Sequence, residues 1–180
     1  MLITPIIDSC GLYCSCEVND FIYDYSRIDI YSPTKLPVPL NEQFKAEVIA
    51  DMEFISMSKE SSVGRSALMA CSCVTYYHPL HTISEVEVIT TPSYFNAQDS
   101  SSVINPVVEI LYYDDNFTEH IINLGENPSP QFSIADGPYF TARILERPFA
   151  ADSAYSITFS ITKSNGEIVS NTISDVTWVK

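Results

Sequence analysis

The sequence predicts an all-β protein, an antiparallel immunoglobulin-like β-sandwich, on three observations. The composition favours pleated strands joined by proline-shaped loops, with 11 Pro against 5 Gly, 11 Tyr, 9 Phe and many Ile, Val, Ser and Thr. Short segments alternate apolar and polar residues, the period of a strand with one buried face. Near the end of the chain Asn165-Gly166 interrupts such an alternation, and this pair supplies the positive φ angles of a tight hairpin.

The elements follow in order. Residues 1–19 lack periodicity and hold three of the five cysteines, in CGLYCSC, so they form a cysteine-rich N-terminal segment ahead of a single sandwich domain at 20–180. FIYDYSRIDIYS is aromatic and branched, with Ile22, Asp24, Ser26, Ile28 and Ile30 on one parity and Phe21, Tyr23, Tyr25, Arg27 and Asp29 on the other. It predicts a strand. SPTKLPVPLN, rich in proline, predicts a connection. FKAEVIADMEF has a composition that suits a helix entered at Asn41. Its apolar residues Phe44, Ala46, Val48, Ala50, Met52 and Phe54 recur every second position, so a strand is the better reading.

SKESSVGRS predicts a polar loop, and ALMACSCVTYY, apolar on both faces, predicts a central strand. TISEVEVIT, NPVVEILYYD, a short EHIINL and YFTARILE follow as strands between segments rich in Pro, Asn, Asp and Ser. The hairpin closes the chain, with Tyr155, Ile157, Phe159 and Ile161 on one parity before its turn. There is no internal repeat.

With 180 residues and 46% apolar content, the chain can bury a core without metals or staples. It carries 23 Asp and Glu against 9 Lys and Arg, a formal net charge of -14. That charge repels phosphate backbones and anionic headgroups, so a nucleic-acid partner is not expected. No run of apolar residues is long enough to span a bilayer as a helix. MLITPIID lacks the basic and apolar regions of a signal peptide, which reads as a cytosolic protein or as a mature chain shorn of its leader. The cysteines and the tyrosine-rich, acidic composition favour the second, with an extracytoplasmic location.

Cys71 and Cys73, on a strand, would point to one face about 7 Å apart, too far to bond each other. Cys14 and Cys16 share that spacing, so two adjacent strands could be joined through these pairs, leaving Cys10 over. Such a staple would contribute roughly 3–4 kcal/mol by restricting the unfolded chain. The alternative is a Zn or Cu site built from Cys71, Cys73, His78 and His81, whose thiolates and imidazoles suit a tetrahedral ion. Against it, Cys-x-Cys is not the usual C-x2-C knuckle, Pro79 separates the histidines, and both histidines fall beyond the predicted strand.

No G-x-S-x-G elbow and no glycine-rich phosphate cradle is present, and an acidic chain offers a poor niche for a catalytic thiolate. Asp114-Asp115 could serve a glycan-active enzyme as a third reading, though consecutive acids beside Asn usually form a wet loop. No catalytic residue and no cofactor is therefore assigned. The adjacent aromatics Tyr76-Tyr77, Tyr94-Phe95, Tyr112-Tyr113 and Tyr139-Phe140 each send one ring to either side of a strand. Outward rings suit a protein or glycan partner, which ranks a binding module ahead of an enzyme.

SALMACSCV, followed further on by TISEVEVITTPSYFNAQ, resembles secreted proteins of gut Bacteroidota, many of them predicted lipoproteins. Those proteins carry an A-C-S-C element, an I-x-x-I-E-I-T-S strand and a D-F-N turn. The matching residues are Ala70, Cys71, Ser72 and Cys73, then Ile83, Val86, Glu87, Val88 and Thr90, then Tyr94, Phe95 and Asn96. The tail from PYFTARILERP to NTISDV is similar as well. The resemblance implies a leader, a cysteine-rich mature N-terminus and export to the periplasm or outer surface, with a lipid anchor near or before this start. IIDSC departs from a lipobox, since Asp8 stands directly before Ser9, which leaves Cys10 a poor anchor. The reading is an exported, non-enzymatic binding or structural module of a bacterial cell envelope.

Overall fold

The computed structural model describes residues 19–39, 41–58, 75–113, 118–129, 139–150 and 153–179. In chain order the strands are β1 (Asn19–Tyr31), β2 (Val38–Pro39), β3 (Phe44–Ser58), β4 (Thr75–Pro79), β5 (Ile83–Thr91) and β6 (Ser102–Val103). They continue with β7 (Val108–Tyr113), β8 (Glu119–Asn123), β9 (Tyr139–Ile144), β10 (Tyr155–Lys163), β11 (Ile168–Val176) and β12 (Trp178–Val179). The one helical element among the described residues is a 3-10 turn at Asn105–Val107, opened by Pro106.

A six-stranded sheet runs β4-β1-β3-β9-β7-β8 and a four-stranded sheet runs β11-β10-β5-β6. Between them lies one apolar core, from Tyr23, Phe44, Val48, Ile110 and Phe140 on the first sheet to Val86, Val88, Ile157, Phe159 and Ile161 on the second. The order β1-β3-β9-β7 opposite β11-β10-β5-β6 reproduces the A-B-E-D and G-F-C-C′ sheets of the immunoglobulin fold. Tyr155 adds a second hallmark. It opens β10, the F strand, and its hydroxyl donates back to the Ala150 carbonyl at 3.1 Å, the arrangement of a tyrosine corner. The cysteine that immunoglobulin domains place two residues later is replaced here by buried Ile157.

Period-two patterning holds where it was expected, and the helix alternative for residues 44–54 is excluded by the ladders of β3 to β1 and β9. Parity is not constant, however. Tyr23 and Tyr25 are buried, then a register shift between Tyr25 and Arg27 turns Ile28 inward. Phe54 keeps the parity of buried Phe44, Ala46, Val48 and Ala50 yet is exposed, where its ring meets Phe21 edge to face at 5.8 Å, and a second shift follows it at Ile55. An extra residue on one strand of a pair re-aims every side chain beyond it.

The antiparallel sandwich stands, with two expectations corrected and parallel pairing added at its margins. The described part of the predicted central strand is β4, and it stands at the sheet edge, where Pro79 forfeits no ladder hydrogen bond. In the parallel additions, β4 pairs with β1 and β12 pairs with β2 inside the predicted proline connection. The hairpin turn is longer than a two-residue turn. Within the turn only Gly166 has positive φ, at 86°, and Lys163 N–H reaches the Glu167 carbonyl at 2.8 Å across three loop residues. Asn165 instead accepts the Glu167 N–H through its side chain at 3.0 Å.

Candidate binding surface

The outer face of the six-stranded sheet carries the exposed aromatics. Because side chains alternate along a strand, buried Phe140 and half-buried Tyr112 send their neighbours Tyr139 and Tyr113 outward. Tyr139 sits opposite Ile49 of β3, Tyr113 opposite Glu119 of β8, and the two tyrosines are electrostatic neighbours. The next row holds Glu47, Thr141, Leu111 and Ile121 in register across four strands. Tyr113 is 47% exposed, Tyr139 40% and Ile121 51%. The Tyr113 hydroxyl donates to the Glu119 carboxylate at 3.0 Å, which fixes the ring and pushes its pKa up. Beyond the apolar rows, Arg143 meets Glu109 at 3.5 Å. The result is a strip of flat, amphipathic rings framed by carboxylates.

A different kind of site lies where the two sheets meet near the closing hairpin. Lys163 continues the inward parity of Tyr155, Ile157, Phe159 and Ile161, so its ammonium is carried into the sandwich and is 2% exposed. Its Nζ donates to Asp24 Oδ2 of β1 at 2.8 Å, to the Tyr25 carbonyl at 3.1 Å, and meets Glu167 Oε2 at 2.8 Å. His81 Nδ1 stands 3.4 Å from the same Asp24 Oδ2. Burial pushes the Asp24 carboxyl up, but hydrogen bonds from Lys163, the Tyr25 backbone and His81 outweigh it and hold it below its ordinary value. Burial likewise opposes the Lys163 charge, and its two carboxylate partners overcome it and raise the group. Sequence reading missed this cluster. The available signal was a lysine on the apolar parity of a strand.

A cleft of about 500 Å³ opens at the opposite end, between Asn41, Glu42 and Gln43 on one side and Glu146 and Arg147 on the other, above Trp178. Its upper wall is anchored by the Tyr94 hydroxyl, which donates to the Glu146 carbonyl.

The predicted sites fare unevenly. Cys10, Cys14, Cys16, Cys71 and Cys73 lie outside the described residues, as does Asp114-Asp115. Of the alternative metal set, His78 falls within β4 and not beyond the strand as expected, while His81 lies in the following loop and faces Asp24. Among the described residues no group of three or more His, Cys, Asp or Glu is arranged to hold a metal. Tyr112-Tyr113 and Tyr139-Phe140 alternate across strands as predicted, whereas Tyr94-Phe95 lies past the end of β5, off any strand, with its two rings in edge-to-face contact at 5.8 Å. Tyr94, Tyr112 and Phe140 turn inward, and Phe95, Tyr113 and Tyr139 turn outward. No described helix is long and apolar enough to cross a membrane.

No protein-family model matches the chain, and no curated protein matches it. A solved structure of murine CRIg aligns with 86% of this chain and 100% of its own at 10% identity and a TM-score of 0.35. A likeness of that size carries no conclusion about function, and the immunoglobulin-like fold rests on this chain's own strand order.

Proposed function

We propose that the chain is an exported, non-enzymatic binding or structural module of a bacterial cell envelope, and that it holds a protein or neutral glycan partner on the outer face of its six-stranded sheet. The observation that carries this reading is the grouping of Tyr113, Tyr139 and Ile121 on one exposed face. Tyrosine rings present apolar area at low entropic cost and keep a polar tip for hydrogen bonding, a combination enriched at recognition surfaces. The surrounding Glu47, Glu109 and Glu119, with a net charge of -14, disfavour anionic partners. Export is supported by the resemblance to secreted Bacteroidota proteins and by the cysteine content.

Two measurements test the proposal. Affinity electrophoresis in gels containing neutral polysaccharides, together with pull-down on washed cell envelopes, should retard or retain the chain. Tyr113→Ala with Tyr139→Ala should abolish that retention while the circular dichroism spectrum stays unchanged; retention that survives the double substitution removes the sheet face from consideration. Thiol titration of chain purified from its native compartment should find most of the five cysteines protected until reductant is added. Five free thiols would argue against export.

A further inference from the structure

The geometry points to a covalent cross-link, an isopeptide bond between the Lys163 side chain of β10 and the Asp24 side chain of β1. The two groups come from the first strand and the tenth, 139 residues apart, and the bond would tie one sheet to the other. Nζ already lies 2.8 Å from Asp24 Oδ2, so attack on the adjacent Cγ needs little movement. The amine is 2% exposed and Asp24 19%, and Tyr25, whose carbonyl accepts from Nζ, is buried beside them. A buried ion pair carries a desolvation cost that a neutral amide does not.

The surrounding groups supply the proton transfers. One proton passes from the ammonium to Asp24 along the Nζ–Oδ2 hydrogen bond, which leaves a neutral amine facing a carboxylic acid. Nζ then bonds to Cγ. Glu167 Oε2, 2.8 Å from Nζ, takes the second proton from nitrogen. His81 Nδ1, 3.4 Å from Oδ2, delivers a proton to that departing oxygen. The Cγ–Oδ2 bond breaks, water leaves, and solvent returns the proton from Glu167 to His81. An ammonium and a carboxylate thus become one amide and one water, with no oxidant or co-reactant. The Nζ and Nδ1 contacts converge on one carboxylate oxygen, the one that must leave.

Mass spectrometry of the intact, denatured and reduced chain tests this. The expected result is a mass lower than the sequence mass by one water, and proteolysis should release a branched peptide joining residues 24 and 163. Lys163→Met and Asp24→Ala should restore the full mass. Asp24→Asn should reach the same cross-linked mass as the native chain by releasing ammonia, and Glu167→Gln or His81→Ala should slow the loss of water several-fold. A native chain that keeps its full mass after prolonged incubation overturns the proposal. So does a lost water that maps to a cyclised aspartate with no branched peptide. The native chain alone decides the question if the variants do not fold.

Discussion

The two ends of the sandwich are closed by different chemistry, and strand β10 runs from one to the other. At its start, Tyr155, Tyr94 and Trp178 meet edge to face with ring centroids 5.7–5.9 Å apart, and Phe44 packs on Trp178 at 6.2 Å. The polar tips of this cluster find backbone carbonyls, Tyr155 to Ala150 and Tyr94 to Glu146. At its end, Lys163 is enclosed by Asp24, Glu167 and the Tyr25 carbonyl. Rings gain from apolar burial and need one partner per hydroxyl. A buried ammonium gains only when each of its donors is matched, so the charged end holds through geometry and depends on pH. The first end can therefore tolerate solution conditions that should open the second.

The largest break in this comparison should come from Trp178→Ala. Removing a fully buried indole from the junction of β12, β2 and the aromatic cluster should cost about 3–5 kcal/mol, read from the denaturation midpoint. A loss under about 1 kcal/mol would mean that the aromatic end does not hold the sheets together. Next, measured against chain still at full mass, Lys163→Met should cost about 2 kcal/mol, below the value for a fully buried pair because Asp24 keeps some contact with water. An unchanged midpoint would show that the ion cluster contributes nothing net. Third, Tyr155→Phe should cost about 1 kcal/mol, the net worth of one buried hydrogen bond, and this loss should be the same at pH 5 and pH 8.

The smallest effect sharpens the contrast through pH. Asp24 is held below its ordinary value of 3.8, so its contribution is present above that pH and disappears as the pH falls through the lower folded value. Lys163 is raised above 10.5, so its contribution is present below that pH and is lost as the pH rises through the higher folded value. Chain at full mass should show an acid limb below about pH 4 that Lys163→Met diminishes. Chain in which Asp24 has become an amide has no such carboxyl to titrate, so that limb should shrink as cross-linking proceeds.

Much of the fold was legible because alternation is a local property. β3, β5, β7, β9 and β10 all fall where apolar residues recur every second position. The outward Tyr113 and Tyr139 follow from the same period. What the pattern concealed is non-local. Side-chain parity says which residues share a face, but not which strand lies beside which, so the described end of an apolar run read as central, residues 75–77, belongs to the edge strand β4. The same limit hid Asn105, whose buried side chain accepts from Val88 N–H and donates to the Val86 carbonyl, completing the edge of β5.

By itself, the sequence determined that this is a β protein with one continuous core, a closing hairpin and an acidic surface, because composition, charge and period-two patterning belong to the chain before it folds. Only the tertiary structure decided that β1 and β4 run parallel, that a register shift turns Ile28 inward, and that Asp24 and Lys163 meet. Those outcomes depend on how distant segments share one interior, and a lysine on an apolar parity reveals its partner only when the opposing sheet is in place.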